Sequence, residues 1–143
     1  MLQLNDQVTA IELASYLIRV FEGCKLTSYK DSSGVWTIGY GHTGPDVQQG
    51  TVWTQQKADD QLLIDEQKIV NLVKDLTVEE AGALISFGYN CGIGALTSVL
   101  NGHATLMNFI HDKHGKELPG LVERRGLEEC LVLLGQRRTS VQA

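Results

Sequence analysis

The chain has 143 residues, 43% hydrophobic and 20% charged, a composition typical of one globular domain and not of a disordered or fibrous protein. Its formal net charge of −5 argues against a basic surface for nucleic acid or for an anionic membrane. No apolar run reaches the roughly 18 residues of a membrane span, and residues 1–10 lack the basic start of a secretory signal, so we expect a cytoplasmic chain without membrane insertion.

The first predicted helix covers residues 8–22 and ends at Gly23. Its apolar positions follow steps of three and four residues, Ile11, Ala14 and Ile18, and the next position of that series is Glu22. A carboxyl group therefore falls where the pattern expects an apolar side chain. Burial disfavours the charged form, so such a glutamate could keep its proton near neutral pH and donate it. The alternative is that Glu22 turns outward at the helix end.

Residues 27–41 predict an antiparallel hairpin, because strand-like segments flank the turn sequence Ser-Ser-Gly. Asp31 precedes this turn and Thr37 follows it. Taken singly, Asp31 is an ordinary turn residue and Thr37 an ordinary strand residue. Together with Glu22, they supply the groups that glycosidic hydrolysis requires. An inverting reaction needs carboxyl groups about 6.5 to 9.5 Å apart, and a shorter gap favours a covalent intermediate.

The rest of the chain is predicted to be mostly helical. A long helix covers about residues 54–75, and the capping-box spacing from Thr77 to Glu80 opens a third helix that continues through Gly88. Further helices are expected near residues 104–113 and from about residue 119 to residue 135. The predicted class is therefore α+β, mostly helical, with one small antiparallel sheet after the first helix.

Asp65 lies between Leu62 and Ile69 on the apolar face of the long helix, so it is expected to face the interior and to need a partner. His42, just after the hairpin, is the predicted partner. Such a pair would raise the pKa of the histidine and lower the pKa of the aspartate. The alternative is a rotated helix with a solvated Asp65.

Three other features predict less. Residues 39–44 match G-x-G-x-x-G, but no parallel strand follows, so nucleotide binding is disfavoured. His111 and His114 are three residues apart on a predicted helix but lack further ligands, so we expect no metal and no cofactor. The three cysteines do not have the spacing of metal ligands, and their sequence neighbours are apolar. They are therefore predicted to be small, reduced core residues: Cys24, Cys91 and Cys130.

The segment "FEGCKLTSYKDSSGVWTIGYGHT", with Glu22, eight residues, Asp31, five residues and Thr37, resembles the signature of the phage-type lysozymes, glycoside hydrolase family 24. The resemblance continues through residues 54–73, 83–96 and 118–135. It implies one two-lobed domain over residues 1–143. A small lobe of about residues 22–55 would carry the hairpin, and the connecting helix of about 54–75 would join it to a helical lobe of about 76–143 plus helix 8–22. A saccharide cleft would lie between the lobes.

The resemblance also implies a muramidase, which hydrolyses the β-1,4 bond between N-acetylmuramic acid and N-acetylglucosamine in peptidoglycan, with inversion. Glu22 resembles the general acid, and Asp31 and Thr37 resemble the groups that hold and activate water. By position, the resemblance further implies that Asn90 binds substrate. It implies that His42 and Asp65 form a buried structural ion pair. It also implies that Arg124 or Arg125 is a basic partner of the acid.

Two features depart from the family pattern: the region of residues 95–101 is shorter by about two helical turns, and Gly126 interrupts a helix. We expect a monomeric phage or prophage endolysin that binds peptidoglycan glycan strands. It would stay in the host cytoplasm until a separate protein opens the inner membrane. The alternatives are a catalytically silent saccharide-binding protein on the same fold and a hydrolase of another amino-sugar polymer such as chitin.

Overall fold

A computed structural model describes residues 1–142, and over that range it contains five α-helices, a short 3-10 turn and one three-stranded antiparallel sheet. The predicted α+β class is confirmed. Within the same residues, no helix has both the length and the apolar character needed to cross a membrane. The elements, in chain order, are α1 (Leu4–Glu22), β1 (Lys25–Lys30), β2 (Trp36–Gly39), β3 (His42–Thr43), α2 (Gln55–Val70), α3 (Val78–Cys91), α4 (Ile93–Leu100), the 3-10 turn (Leu106–Asn108) and α5 (Pro119–Gln142).

Helix α3 forms the centre of the core and packs against α1 and α5. Every residue from 81 to 88 is buried. The predicted capping box is confirmed: the Glu80 amide donates to Thr77 Oγ1, and the Thr77 amide donates to the Glu80 carboxylate. At Gly82, a Cβ atom would lie 2.7 Å from the side chain of Leu13, so the glycine allows α1 to approach α3 closely. This contact fixes α1, which ends at Glu22, against the central helix.

The predicted hairpin is confirmed as β1 and β2, which pair Tyr29 with Thr37. Asp31 makes the turn, because its Oδ1 accepts hydrogen bonds from the amides of Ser33 and Val35 at 2.8 and 2.9 Å. Strand β3 adds antiparallel to β2. The glycines of residues 39–44 therefore serve a tight antiparallel connection, and they do not form the strand–helix–strand unit that a dinucleotide-binding motif requires.

The helix predicted for residues 104–113 is wrong. The chain forms only the 3-10 turn there and then bends at Asp112, whose Oδ1 accepts from the amides of His114 and Lys116 at 2.8 and 3.0 Å. An aspartate side chain that captures nearby amides competes with helical hydrogen bonding. His111 and His114 consequently do not share a helix face, and His111 instead forms a backbone bridge to Glu117.

Other predicted boundaries shift as well. Helix α1 begins at Leu4, four residues earlier than predicted, and α2 ends at Val70, after which amides donate to carbonyls three residues back and tighten the chain. Helix α5 is not interrupted at Gly126, and it continues past residue 135 to Gln142.

The prediction that the cysteines are core residues is wrong for Cys24 and Cys130, whereas Cys91 packs against the edge of the core. Cys24 and Cys130 are exposed and Cys91 is half-buried. Cys24 follows Gly23, which has a φ of 64° and ends α1, so the chain has already left the buried helix face at that point. Cys130 lies two residues after the buried Glu128 on α5, and a step of two residues on a helix turns the side chain well away from the buried side.

Candidate active site

Glu22 is the last residue of α1, and its side chain is 24% exposed, so it is neither fully buried nor turned away from the protein. Its Oε1 accepts a hydrogen bond from Arg124 Nη1 at 2.7 Å and a longer one from Asn90 Nδ2 at 3.5 Å. The backbone of Gly41 lies against the other oxygen, because a Cβ atom there would be 3.1 Å from Glu22 Oε2. A residue with a side chain at position 41 would press on the carboxylate. Three segments that are distant in sequence thus hold this carboxyl group.

Asp31 and Thr37 lie in the hairpin opposite the end of α1. Asp31 uses Oδ1 for the turn amides, and within residues 1–142 its Oδ2 makes no hydrogen bond. Thr37 is buried, and its hydroxyl donates to the carbonyl of Val35 at 3.0 Å. Both side chains therefore keep acceptor capacity, one through a carboxylate oxygen and the other through hydroxyl lone pairs.

The Tyr29 phenol is influenced by the charges of both Glu22 and Asp31. Burial raises the pKa of the Tyr29 phenol, and the negative charges of Glu22 and Asp31 raise it further. The charges of Glu22 and Asp31 therefore both reach the phenol. Because Tyr29 pairs with Thr37 across the sheet, the strand register places the hydroxyl of Thr37 in the same neighbourhood.

Behind Glu22, helix α5 contributes two buried arginines that contact different groups. Arg124 binds Glu22, whereas Arg125 donates to the side-chain oxygen of Asn90. Both arginines also bind Glu128, a residue that was not among the predicted site residues. The spacing of Glu128, four and three residues after the arginines, is the sequence signal that could have identified it.

His42 and Asp65 are in contact, with His42 Nδ1 at 2.6 Å from Asp65 Oδ2. Asp46 binds the other ring nitrogen at 3.1 Å, and Lys68 binds Asp65 at 3.1 Å. The hydrogen bond with Asp65 raises the pKa of His42 against the effect of burial. Burial raises the pKa of Asp65, but hydrogen bonds from His42, Lys68 and Gln61 outweigh it and leave this pKa below the ordinary value. The pair joins β3 to α2 next to a cavity of about 230 Å³.

In the part of the chain that the structure describes, no group of three or more histidine, cysteine, aspartate or glutamate side chains is arranged to hold a metal ion. The polar groups gathered near Glu22 are carboxylates, a hydroxyl, an amide and guanidinium groups. This set can donate a proton, accept hydrogen bonds from water and bind the hydroxyl and amide groups of a saccharide.

Comparison with known proteins shows matches over most of the chain. The family profile described as phage lysozyme matches residues 19–128. The endolysin of Bacillus phage B103 is 35% identical over 144 residues, which cover 85% of this chain and 53% of that protein. The endolysin of Lactococcus phage c2 is 40% identical over 128 residues, covering 78% and 54%. The chain thus spans about half the length of these curated relatives. The SAR-endolysin of Enterobacteria phage PA-2 is 32% identical over 154 residues, which cover 90% of this chain and 90% of that protein.

Solved structures show the same relationship. The muramidase domain of SpmX from Asticaccaulis excentricus matches with a TM-score of 0.69 at 32% identity, covering 84% of this chain and 94% of that one. The endolysin from Escherichia coli O157:H7 phage FAHEc1 matches with a TM-score of 0.69 at 31% identity, covering 85% and 90%.

Proposed function

The chain belongs to the phage lysozyme family, and we propose on that basis that it is a muramidase. Its substrate is the β-1,4 bond between N-acetylmuramic acid and N-acetylglucosamine in peptidoglycan, and its role is that of a phage or prophage endolysin in host cell lysis. The observation that carries this proposal is the Glu22 carboxyl at the end of α1, held by Arg124 at 2.7 Å, followed by a hairpin on which Asp31 Oδ2 and the Thr37 hydroxyl keep acceptor capacity. Two carboxyl groups around a shared site are what glycosidic hydrolysis requires. The names of the relatives, endolysin and muramidase domain, agree with this function.

In this mechanism Glu22 is the general acid, which protonates the oxygen of the leaving sugar. Arg124 and Asn90 hold its carboxyl group in place. Asp31 and Thr37 hold the attacking water, because Asp31 Oδ2 and the Thr37 hydroxyl retain acceptor capacity after their turn contacts are made. A water that donates to both of them is oriented toward the sugar, and Asp31 accepts its proton as the water attacks.

We propose an inverting outcome, since a water held by Asp31 and Thr37 attacks directly and no covalent glycosyl-enzyme forms. Following the product anomers by NMR during the first turnovers tests this point. Initial appearance of the α-anomer supports inversion. Initial appearance of the β-anomer assigns Asp31 as a nucleophile instead.

The muramidase function is tested by incubating the purified protein with peptidoglycan and measuring new reducing ends. Glu22→Gln should lower turnover about a hundredfold or more, since removal of a positioned general acid has an effect of this size. Glu12→Gln is the matched control, because Glu12 is exposed on the same helix and the same charge is removed. Activity retained in Glu22→Gln with an intact fold would contradict the role of Glu22.

The same assay separates the two alternatives. A saccharide-binding protein without turnover would bind peptidoglycan and release no reducing ends, and the shortness of the segment that forms α4, eight residues long, is the feature that favours this alternative. A hydrolase of another amino-sugar polymer would release reducing ends from chitin and none from peptidoglycan.

We further propose that the chain acts as a monomer, with a small lobe of about residues 22–55 and a helical lobe on either side of a saccharide cleft. It waits in the host cytoplasm until a separate protein opens the inner membrane. A reporter fusion that placed the unmodified chain in the periplasm, without a membrane-opening partner, would contradict this route.

A further inference from the structure

Glu128 is a fully buried carboxylate on α5 that is bound on both of its oxygens. Its Oε1 accepts from Ser86 Oγ at 2.9 Å and from Arg124 Nε at 3.2 Å, and its Oε2 accepts from Arg125 Nη1 at 2.7 Å. All three contacts are donors to the carboxylate. Burial raises the pKa of Glu128, while the two arginines and Ser86 act in the opposite direction. The ionised form is the one that satisfies these three donors together.

Arg124 connects this buried carboxylate to Glu22. Its Nε binds Glu128, its Nη1 binds Glu22 at 2.7 Å, and its Nη2 binds the carbonyl of Ser86 at 3.1 Å. Because a guanidinium group is planar and rigid, fixing one edge against Glu128 also fixes the edge that faces Glu22. A second route runs from Glu128 through Arg125 to Asn90, whose amide nitrogen approaches the same Glu22 oxygen.

The charges of this cluster balance. Two arginines and two glutamates are in contact, so each positive charge near Glu22 is shared with Glu128. Arg124 without Glu128 would direct its whole charge at Glu22 and hold it as a carboxylate, which is the form that cannot donate a proton. Among the described residues, the charges of Glu22 or Glu128 also act on Tyr29 of β1 and on Tyr89 and Cys91 of α3.

We infer that Glu128 is a positioning residue for Glu22: it fixes Arg124 in contact with the acid and cancels part of the positive charge that the acid faces. Its effect on catalysis rests on the function proposed above. Its electrostatic coupling to Glu22 does not, so the two can be measured separately.

The direct test is a titration of the Glu22 side-chain carboxyl by carbon-13 NMR, with its resonance assigned by its absence in Glu22→Gln. In Glu128→Gln the titration midpoint of this resonance should move down by about one pH unit, because a negative charge two contacts away has been removed. Glu123→Gln is the matched control: it removes one charge from an exposed position of the same helix and should leave the midpoint in place.

The rate of peptidoglycan hydrolysis measured against pH supplies the second readout. In Glu128→Gln the alkaline limb should move to lower pH by the same amount as the midpoint. Glu128→Asp keeps the charge and should keep the position of that limb, with a lower kcat because the shorter side chain holds Arg124 less firmly. A merely structural role would lower the rates of both variants without moving the limb.

Glu128→Gln leaves Arg125 with one acceptor fewer, so folding is checked by circular dichroism. If this variant does not fold, the double variant Glu128→Gln with Arg125→Gln replaces it, with Arg125→Gln alone as its reference. Adding Glu128→Gln to that reference should lower the Glu22 midpoint, and an unmoved midpoint overturns the inference. A midpoint that moves in a protein without turnover overturns the proposed function and leaves the coupling standing.

Discussion

Replacing Glu66 by glutamine should stabilise the protein above neutral pH and leave its stability in mild acid nearly unchanged. The Glu66 carboxyl is fully buried between α2 and α1, where Oε2 accepts from Ser15 Oγ at 2.7 Å. Its Oε1 has no hydrogen-bond partner among the described residues. Burial raises the pKa of Glu66 from 4.5 to about 7, against the hydrogen bond from Ser15 and the charge of Arg19.

The size of the effect follows from the difference in proton affinity between the folded and unfolded chains. Since the folded pKa of Glu66 is the higher one, its contribution to stability is fully present below pH 4.5 and is lost as the pH rises to about 7. One pKa unit corresponds to about 1.4 kcal/mol, so the ionised side chain lowers the free energy of unfolding by about 3 kcal/mol above that pH. Glutamine has nearly the same shape and no charge, so the variant should gain about 10 °C in Tm there.

The measurement is urea unfolding followed by tryptophan fluorescence at several values from about pH 5 to about pH 8. The difference in unfolding free energy between Glu66→Gln and the unmodified chain should grow across this range. Glu12→Gln, an exposed substitution on α1 that removes the same charge, should show no such growth. If the Glu66→Gln difference stays constant with pH, or if the control reproduces it, the buried carboxyl is not the cause.

Three further substitutions give predictions that stability measurements can check. His42→Asn should destabilise the protein most between pH 3.8 and pH 6.5. The pKa of His42 is raised and the pKa of Asp65 is lowered, so their pair weakens above this window as His42 loses its proton and below it as Asp65 gains one. An unchanged pH dependence of stability in the variant would exclude the pair as its source. Thr77→Ala removes the capping box with Glu80 and should cost about 1 kcal/mol. Gly135→Ala should cost about 1 to 3 kcal/mol, since its Cβ would lie 2.2 Å from Thr77 Oγ1, and the double variant should cost less than the sum because the clashing hydroxyl is gone.

The elements that the sequence predicts correctly are those set by interactions within a few residues. The capping box at Thr77 opens α3 where predicted, and the turn after Asp31 forms the predicted hairpin. In both cases a side chain bonds an amide two to four residues away, so the relevant partner is visible in the local sequence.

The same local chemistry explains the failed helix of residues 104–113. The helix predicted there, ending before Gly115, conflicts with the local side-chain chemistry of Thr105, Asn108 and Asp112. Asn108 accepts from the amide of Thr105, and Asp112 accepts from amides two and four residues ahead. These contacts confine the helical conformation to one 3-10 turn.

The residues of the candidate site differ in how far the sequence predicts them. Glu22, Asp31 and Thr37 stand out through residue type and spacing, but the groups that control Glu22 come from far along the chain. Arg124 is 102 residues from Glu22 in sequence, so no local pattern predicts that contact, and only the resemblance to a known family pointed to Arg124 or Arg125. Glu66 shows a different limit: it lies four residues after Leu62 and three before Ile69, so the helical spacing that placed Asp65 on the apolar face also fits Glu66, which was not predicted to be buried.

Glu66 and Glu128 are both fully buried carboxyl groups on helices and burial raises the pKa of both, yet only Glu128 is in contact with arginines. Glu128 contacts two arginines and a serine, so its negative charge is compensated. Removing one member of this cluster leaves another buried polar group without its partner. Glu66 accepts a hydrogen bond from one serine and, within residues 1–142, contacts no cation, so its negative charge is not compensated and burial favours the protonated form. If this contrast is correct, Glu66→Gln should change the pH dependence of stability with little effect on the pH–rate profile. Glu128→Gln should move the pH–rate profile, because its partners also contact the acid.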